Sequence, residues 1–162
     1  MMHQVKANRH RFKPITFGLS MSDVISAQVC FDFNCKYDLK GDDQQDINKL
    51  FGVGFFPHHH RNSARFGWRW SIVKQKIELF AYVYNRGVRQ VEYLDDVRLG
   101  DTVTLTITKW SNRFGFIVEH PIRFQTMKFL NGNPSFIGYK LGPYFGGNRP
   151  APHKMRLWIS PK

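Results

Sequence analysis

The sequence predicts an all-β protein folded as a single jelly-roll sandwich of two antiparallel sheets. Three observations carry that prediction. Apolar residues recur at spacing two along almost the whole chain, with no long segment at helical spacing. Gly, Asn, Asp and Pro separate the alternating runs at regular intervals, as in sandwiches and barrels. Aromatic content is 15%, with 15 Phe, 6 Tyr and 4 Trp, and supplies the bulk that two facing sheets bury. A chain of 162 residues encloses one core but is short for two. The expected organisation is therefore a basic arm over residues 1–14 and a sandwich domain over 15–162.

The arm holds Lys6, Arg9, Arg11 and Lys13 with no apolar run after them, so it does not read as a secretory signal. Synthesis into a cytoplasm follows, or residence in a virion if the source is a phage. The arm then reads either as an assembly tail that orders on binding or as a frayed terminus. No segment is long and apolar enough to cross a bilayer as a helix.

Strands are expected near Thr16 and over Ile25–Phe33, Lys49–Phe56, Ser63–Ser71, Ile77–Tyr84, Val88–Tyr93, Thr102–Trp110, Phe114–Glu119, Ile122–Phe129, Ile137–Phe145 and Lys154–Ile159. In Ser63–Ser71, Ala64, Phe66, Trp68 and Trp70 alternate with Arg65, Gly67 and Arg69, which gives one core face and one basic face. The next strand sets aliphatic Ile77, Leu79, Ala81 and Val83 against Glu78, Phe80, Tyr82 and Tyr84. Asn85-Arg86-Gly87 closes a hairpin, with Gly87 supplying the positive φ. Gly41–Asn48, rich in acids and amides, suits a long loop or a short helix. Gly146–His153 reads as a loop because its two prolines cannot donate to a ladder. Cys30 and Cys35 fit neither a zinc site nor a disulfide framework and read as free thiols.

Lys and Arg number 24 against 12 Asp and Glu, a formal charge of +12 that attracts polyanions. The expected partner is an acidic polysaccharide or another polyanion, with self-assembly or a virion shell as further partners. Nucleic acid is a lesser candidate: Phe80, Tyr82 and Tyr84 could stack bases, but no nucleic-acid module motif is present. A phosphate-binding Gly loop and a nucleophile-elbow serine are both missing, which disfavours nucleotide hydrolysis and serine chemistry. No cofactor is expected. Asp42, Asp43 and Asp46 offer oxygen ligands to calcium without EF-hand spacing, and His58-His59-His60 lacks a third metal ligand at diagnostic spacing.

Two strand patterns form the candidate ligand site. Arg65 and Arg69, at i and i+4 on one strand face, stand about 13 Å apart. Either they clamp two anionic groups of an extended ligand, or each pairs with a neighbouring carboxylate. In Gly138–Phe145, alternation predicts Lys140, Gly142 and Tyr144 on the ligand face and Tyr139, Leu141 and Phe145 on the core face. Gly142 between them either lets a ligand approach closely or marks a bulge.

These patterns resemble the strand motifs Arg-x-Glu-x-Arg and Tyr-x-Lys-x-Gly-x-Tyr of jelly-roll polysaccharide lyases of the alginate-lyase type. Arg65 and Arg69 match the first, and Lys140, Gly142 and Tyr144 the second. The resemblance implies a concanavalin-like sandwich, a basic groove for acidic glycan, and Tyr144 in the place of the family's catalytic tyrosine. Gly67 stands where the family has glutamate, Gly138 where it has tyrosine, and no Gln-x-His pair appears in Glu78–Tyr84. The resulting expectation is a non-catalytic module gripping an acidic glycan through Arg65, Arg69, Tyr82, Tyr84, Lys140 and Tyr144. A phage virion structural protein and a polysaccharide lyase using Tyr144 are the alternatives.

Overall fold

Alternation at spacing two becomes a pair of antiparallel sheets facing one another across an aromatic core. The computed structural model describes residues 1–122 and 125–162. Its strands are β1 (Met2–Val5), β2 (Leu19–Ser20), β3 (Val24–Phe31), β4 (Asn48–Gly54), β5 (Ser63–Ser71), β6 (Lys76–Asn85), β7 (Val88–Val97), β8 (Thr102–Lys109), β9 (Arg113–Glu119), β10 (Thr126–Asn131), β11 (Gly138–Leu141) and β12 (Met155–Pro161). One six-stranded sheet runs β1-β12-β3-β8-β9-β10 and the other β2-β11-β4-β5-β6-β7. Neighbours distant in sequence, such as β12 beside β3 and β11 beside β4, pair antiparallel, so the chain crosses repeatedly between sheets. This is the predicted jelly-roll sandwich.

The alternating residues named from sequence fill the space between the sheets. Ala64, Phe66, Trp68 and Trp70 of β5 and Ile77, Leu79, Ala81 and Val83 of β6 are buried there. They meet Phe31 of β3 and Phe116 of β9, with Phe31 5.2 Å from Trp68 and Phe66 5.3 Å from Phe116 between ring centroids. Burying whole Phe and Trp side chains contributes roughly 1.5–3 kcal/mol each, which is why the fold follows this pattern closely.

Several expectations are corrected. Residues 1–14 are not a separate arm: β1 pairs with β12, Val5 and Phe12 are fully buried, and Gln4 bridges Lys13. Basic residues hid the signal, because Val5 and Phe12 are too far apart to show alternation. Near Thr16 the ladder forms slightly later, at Leu19–Ser20. The strand expected over Ile122–Phe129 includes residues 123 and 124, which lie outside the described residues, and β10 begins at Thr126. Gly41–Gln45 makes a short 3-10 turn. The loop expected at 146–153 is tied down by Asn8 and Ala151, which exchange bonds with residues of each other's segments (Asn8 N to Ala151 O, 2.8 Å; Ala151 N to Arg9 O, 3.0 Å). Cys30 and Cys35 are free thiols, as their spacing predicts.

One irregularity positions the site. Between Lys49 and Gly52, β4 carries two residues, Leu50 and Phe51, opposite the single Phe66 of β5. Such a bulge shifts the alternation by one residue, so Lys49 and Gly52 share a face although they are three apart. The neighbouring chain follows β4 without a shift, from Lys140 opposite Val53 to Tyr144 opposite Lys49.

Candidate functional site

The outward, concave face of the sheet containing β5 is built by register. Arg65 stands opposite Tyr82 of β6 and Gly52 of β4, with Leu141 beyond Gly52. Ser63 stands opposite Tyr84, and Tyr84 opposite Arg89 of β7. Lys49 lies between Gly67 and Tyr144, and Tyr144 bridges onward to Arg11. These rows enclose a cavity of about 750 Å³, within the range of ordinary ligand pockets. It crosses from β7 to the segment before β2, so its length is about 24 Å at the spacing of paired strands.

Five cations line it: Arg11, Lys49, Arg65, Arg89 and Lys140. Tyr82, Tyr84, Tyr139 and Tyr144 add hydroxyls and ring faces, and His59 and His60 close one wall. No Asp or Glu is among the lining residues.

Arg65 is the centre of this arrangement. Its side chain is buried, its Nη2 donates to the carbonyl of Gly142 at 2.6 Å, and its Nε has no partner. The adjacent Ser63 Oγ is buried and unpartnered as well. A guanidinium withdrawn from water and left without a counter-charge is costly unless an anion joins it. Burial lowers its pKa to about 10, which leaves it charged at neutral pH. Glycine makes its seat: a Cβ on Gly52 would lie 2.1 Å from the carbonyl oxygen of Ala64 and 2.6 Å from the Cα of Arg65.

Lys49 donates to the Ile47 carbonyl at 2.7 Å and lies 4.9 Å from the Tyr82 ring centroid. Burial, reinforced by repulsion from Arg65 and Arg89 and only partly offset by Asp46, brings its pKa down to about 8. Burial, with His60, Arg65 and His58 nearby, drops the pKa of His59 to about 4, so its imidazole is neutral at pH 7. The Tyr82 phenol is raised to about 12, chiefly by burial and then by Tyr84. The cavity thus presents permanent positive charge and neutral hydroxyls, a combination suited to carboxylate, sulfate or phosphate groups.

Of the six residues proposed from sequence, five border this cavity and one does not. Arg65, Tyr82, Tyr84 and Tyr144 line it directly. Lys140 reaches it from the rim: its position opposite Val53 puts it on the core-facing side of β11, where it is exposed to solvent. Tyr139 and Leu141 take the cavity side instead, because the bulge at Leu50–Phe51 reverses the alternation. Gly142 is filled by Thr16, whose Cβ a glycine Cβ would meet at 2.8 Å. Arg69 lies outside the cavity, 2.6 Å from Glu78, and stacks over Phe80. Phe80 and Tyr82 are buried beneath Arg69 and Lys49 and so offer no open platform for bases.

Tyr144 stacks on His10, with ring centroids 5.1 Å apart. His59 and His60 pack against one another at 4.3 Å, and His60 meets Tyr84 at 5.3 Å. The acidic loop is engaged elsewhere: Asp43 pairs with Arg149 at 3.0 Å, and Asp46 accepts from the Asn148 backbone at 3.2 Å. Sequence reasoning missed Lys49, Arg89, Arg11 and Tyr139. Arg89 was within reach, since the two-residue turn at Arg86-Gly87 fixes it opposite Tyr84.

No protein-family model matches the chain, and no curated protein sequence matches it. Among solved structures it is similar to the alginate lyase from Klebsiella pneumoniae, with a TM-score of 0.61 and 13% identity. That match covers 86% of this chain, which spans only 59% of the lyase. A functionally unknown protein from Saccharomyces cerevisiae matches with TM-score 0.52 and 13% identity, over 90% of this chain and 72% of that one. The enzymatically active domain of tailspike protein 2 from bacteriophage CBA120 matches with TM-score 0.51 and 11% identity, over 98% of this chain and 27% of that one. At such identities the likeness is one of fold, and at that level it agrees with the resemblance carried by the two strand motifs.

Proposed function

We propose that this protein is a non-catalytic binding module for an acidic glycan, held across the concave sheet with its acid groups on Arg65 and Lys49. The observation that carries the reading is the buried, unpartnered Nε of Arg65 in a cavity lined by four further cations and no acid. A groove about 24 Å long suits a polymer segment better than a single small anion. Tyr82, Tyr84, Tyr139 and Tyr144 supply the ring faces and hydroxyls that sugars use, and the neighbours in fold include an alginate lyase and a phage tailspike domain.

A lyase is the second reading, favoured by the entry of His59 and His60 into the same cavity as Tyr144. Such a reaction moves the sugar C5 proton to a base, forms the C4–C5 double bond and expels the glycosidic oxygen with a proton. It needs a base near working pH and a neutralised carboxylate. The missing glutamate and Gln-x-His pair weigh against it. A virion component is the third reading, drawn from the tailspike likeness in fold.

One experiment separates the three. The purified protein is titrated with polyuronates, sulfated and neutral polysaccharides at low and moderate salt, while ultraviolet absorbance is followed for unsaturated ends. Selective binding to one acidic glycan that survives moderate salt is expected, without new absorbance. Absorbance growth would replace the module with a lyase. Binding to every polyanion that disappears with salt, or no binding, would leave the virion role.

A further inference from the structure

Outside the cavity, the most unusual surface is the edge of the concave sheet at β2. From Ile15 to Ser22 the chain has no Lys, Arg, Asp or Glu, in a protein with a formal charge of +12. Its alternation is inverted relative to a normal edge. Ile15, Phe17, Leu19 and Met21 are 56%, 87%, 62% and 56% exposed, whereas Ser20 is buried and Thr16 packs on Gly142. On the inner side, Leu19 and Ser20 pair with Tyr139 and Gly138; the outer side is the sheet's edge. Edges of this kind normally carry charges, proline or bulges that block pairing, and here the charges and proline stand outside the strip, at Lys13-Pro14 and Asp23, while its own ladder to β11 is only two residues long.

The strip is self-complementary about Gly18. Antiparallel pairing with a second copy, centred on that residue, sets Phe17 opposite Leu19, Thr16 opposite Ser20 and Ile15 opposite Met21. It also sets Lys13 of one copy opposite Asp23 of the other. Asp23 is available for this, since its side chain is 77% exposed and its own ion pair with Lys109 is long, at 3.5 Å. Gly18 at the centre has φ +131°, a conformation open to glycine, and its missing side chain lets two backbones approach on the axis. An uncharged strip is also where two strongly basic chains meet with least repulsion.

We infer that this protein forms a two-fold dimer by antiparallel pairing of the 15–22 edge, centred on Gly18, with Lys13–Asp23 contacts at both ends. The interface is isologous, so it closes at two copies. A two-fold axis normal to the sheet keeps both concave faces on one side, and Ile15, which lines the cavity, brings each cavity mouth beside the axis. For a polymeric glycan, a consequence that rests on the function proposed above, the paired sites act together and raise avidity.

The test is mass by sedimentation velocity over a hundredfold range of protein concentration, with no ligand present. The wild-type chain is expected to be a dimer at the upper end. Phe17→Lys, at a side chain too exposed to matter for folding, should leave a monomer with an unchanged melting temperature. Lys13→Asp and Asp23→Lys should each weaken the dimer about tenfold or more, and the two together should restore it. A wild-type monomer at every concentration, or a dimer indifferent to Phe17→Lys, would overturn the interface. Failure of the paired charge exchange to restore the dimer would overturn the register. Because no glycan enters the measurement, its failure is independent of the ligand reading.

Discussion

Arg65 and Arg69 stand four residues apart on the same face of β5, yet they live in opposite electrostatic worlds. Arg69 is tied to Glu78 at 2.6 Å, and Lys74 completes the network with bonds to Glu78 at 3.0 Å and Asp96 at 3.2 Å. Arg65 has tyrosines, another cation and one carbonyl around it. A strand's period of two decides which way a side chain points but not what awaits it there. Counter-charges come from the register of β6 and β7, where Glu78 and Asp96 face each other at one end and Tyr84 and Arg89 at the other. One end of the sheet is therefore charge-paired structure, and at the other the cations lining the cavity have no carboxylate among them.

The largest test of this contrast unseats Arg65 without changing either arginine. Gly52→Ala forces a Cβ onto the Ala64 carbonyl and should cost about 3 kcal/mol in thermal or denaturant unfolding, with binding lost. Gly67→Ala, below Arg69's half of the strand, clashes with the end of the Ile47 side chain at 2.4 Å but meets the Asn48 carbonyl and Phe80 Cβ at ordinary contact distances of 3.4 and 3.5 Å, and should cost much less. Equal losses would show that the two seats do not differ.

Exchanging each arginine for methionine should then give crossed results. Arg65→Met should weaken acidic-glycan binding about thirtyfold, or about 2 kcal/mol, with no loss of melting temperature, since an uncompensated buried charge has been removed. Arg69→Met should leave binding within about twofold but lower stability by about 1 kcal/mol, because Glu78 keeps only Lys74. Calorimetric titration and thermal unfolding of both variants read the four numbers. The same loss of binding in both would restore the clamp of two arginines.

The two ends should also answer pH in separate windows, one basic and one acid. Lys49 has a folded pKa near 8, below its unfolded value, so between pH 8 and about 10.5 the unfolded chain binds the extra proton. Its share of empty-protein stability therefore rises as pH climbs through that window. Glycan affinity moves the other way, falling about tenfold from pH 7 to pH 9 as the ammonium discharges. Lys49→Met should abolish that slope. Burial opposes ionisation of Glu78, but Arg69 and Lys74 prevail and hold its pKa below the usual value. That stability is present above the ordinary glutamate pKa and is lost as pH falls through the lowered one. The smallest effect follows: Glu78→Gln should flatten the acid limb of the stability curve and leave affinity at pH 7 unchanged.

The sandwich was legible because its signal is local. Alternation in β5 and β6 identifies eight buried residues, and each later proves to face the other sheet. The site was legible only where alternation runs unbroken. Alternation in their own strands puts Arg65, Tyr82 and Tyr84 on the cavity face, where they stand. Lys140 is not, because the bulge at Leu50–Phe51 in a neighbouring strand resets the phase of residues 139–144. Lys49 escapes for the same reason, standing before two consecutive apolar residues that blur its face. Arg11 depends on a chain segment brought in by the bridge to Tyr144, a long-range pairing that no spacing announces.

The uncompensated guanidinium of Arg65 makes occupancy part of the protein's own durability. Any anion that enters the folded cavity but has no grip on the unfolded chain adds about 2.7 kcal/mol when present at a hundred times its Kd. On the proposed function, the chain's resistance to heat and proteolysis becomes a readout of what surrounds it: firm where an acidic polymer is abundant, and weaker in dilute solution without one.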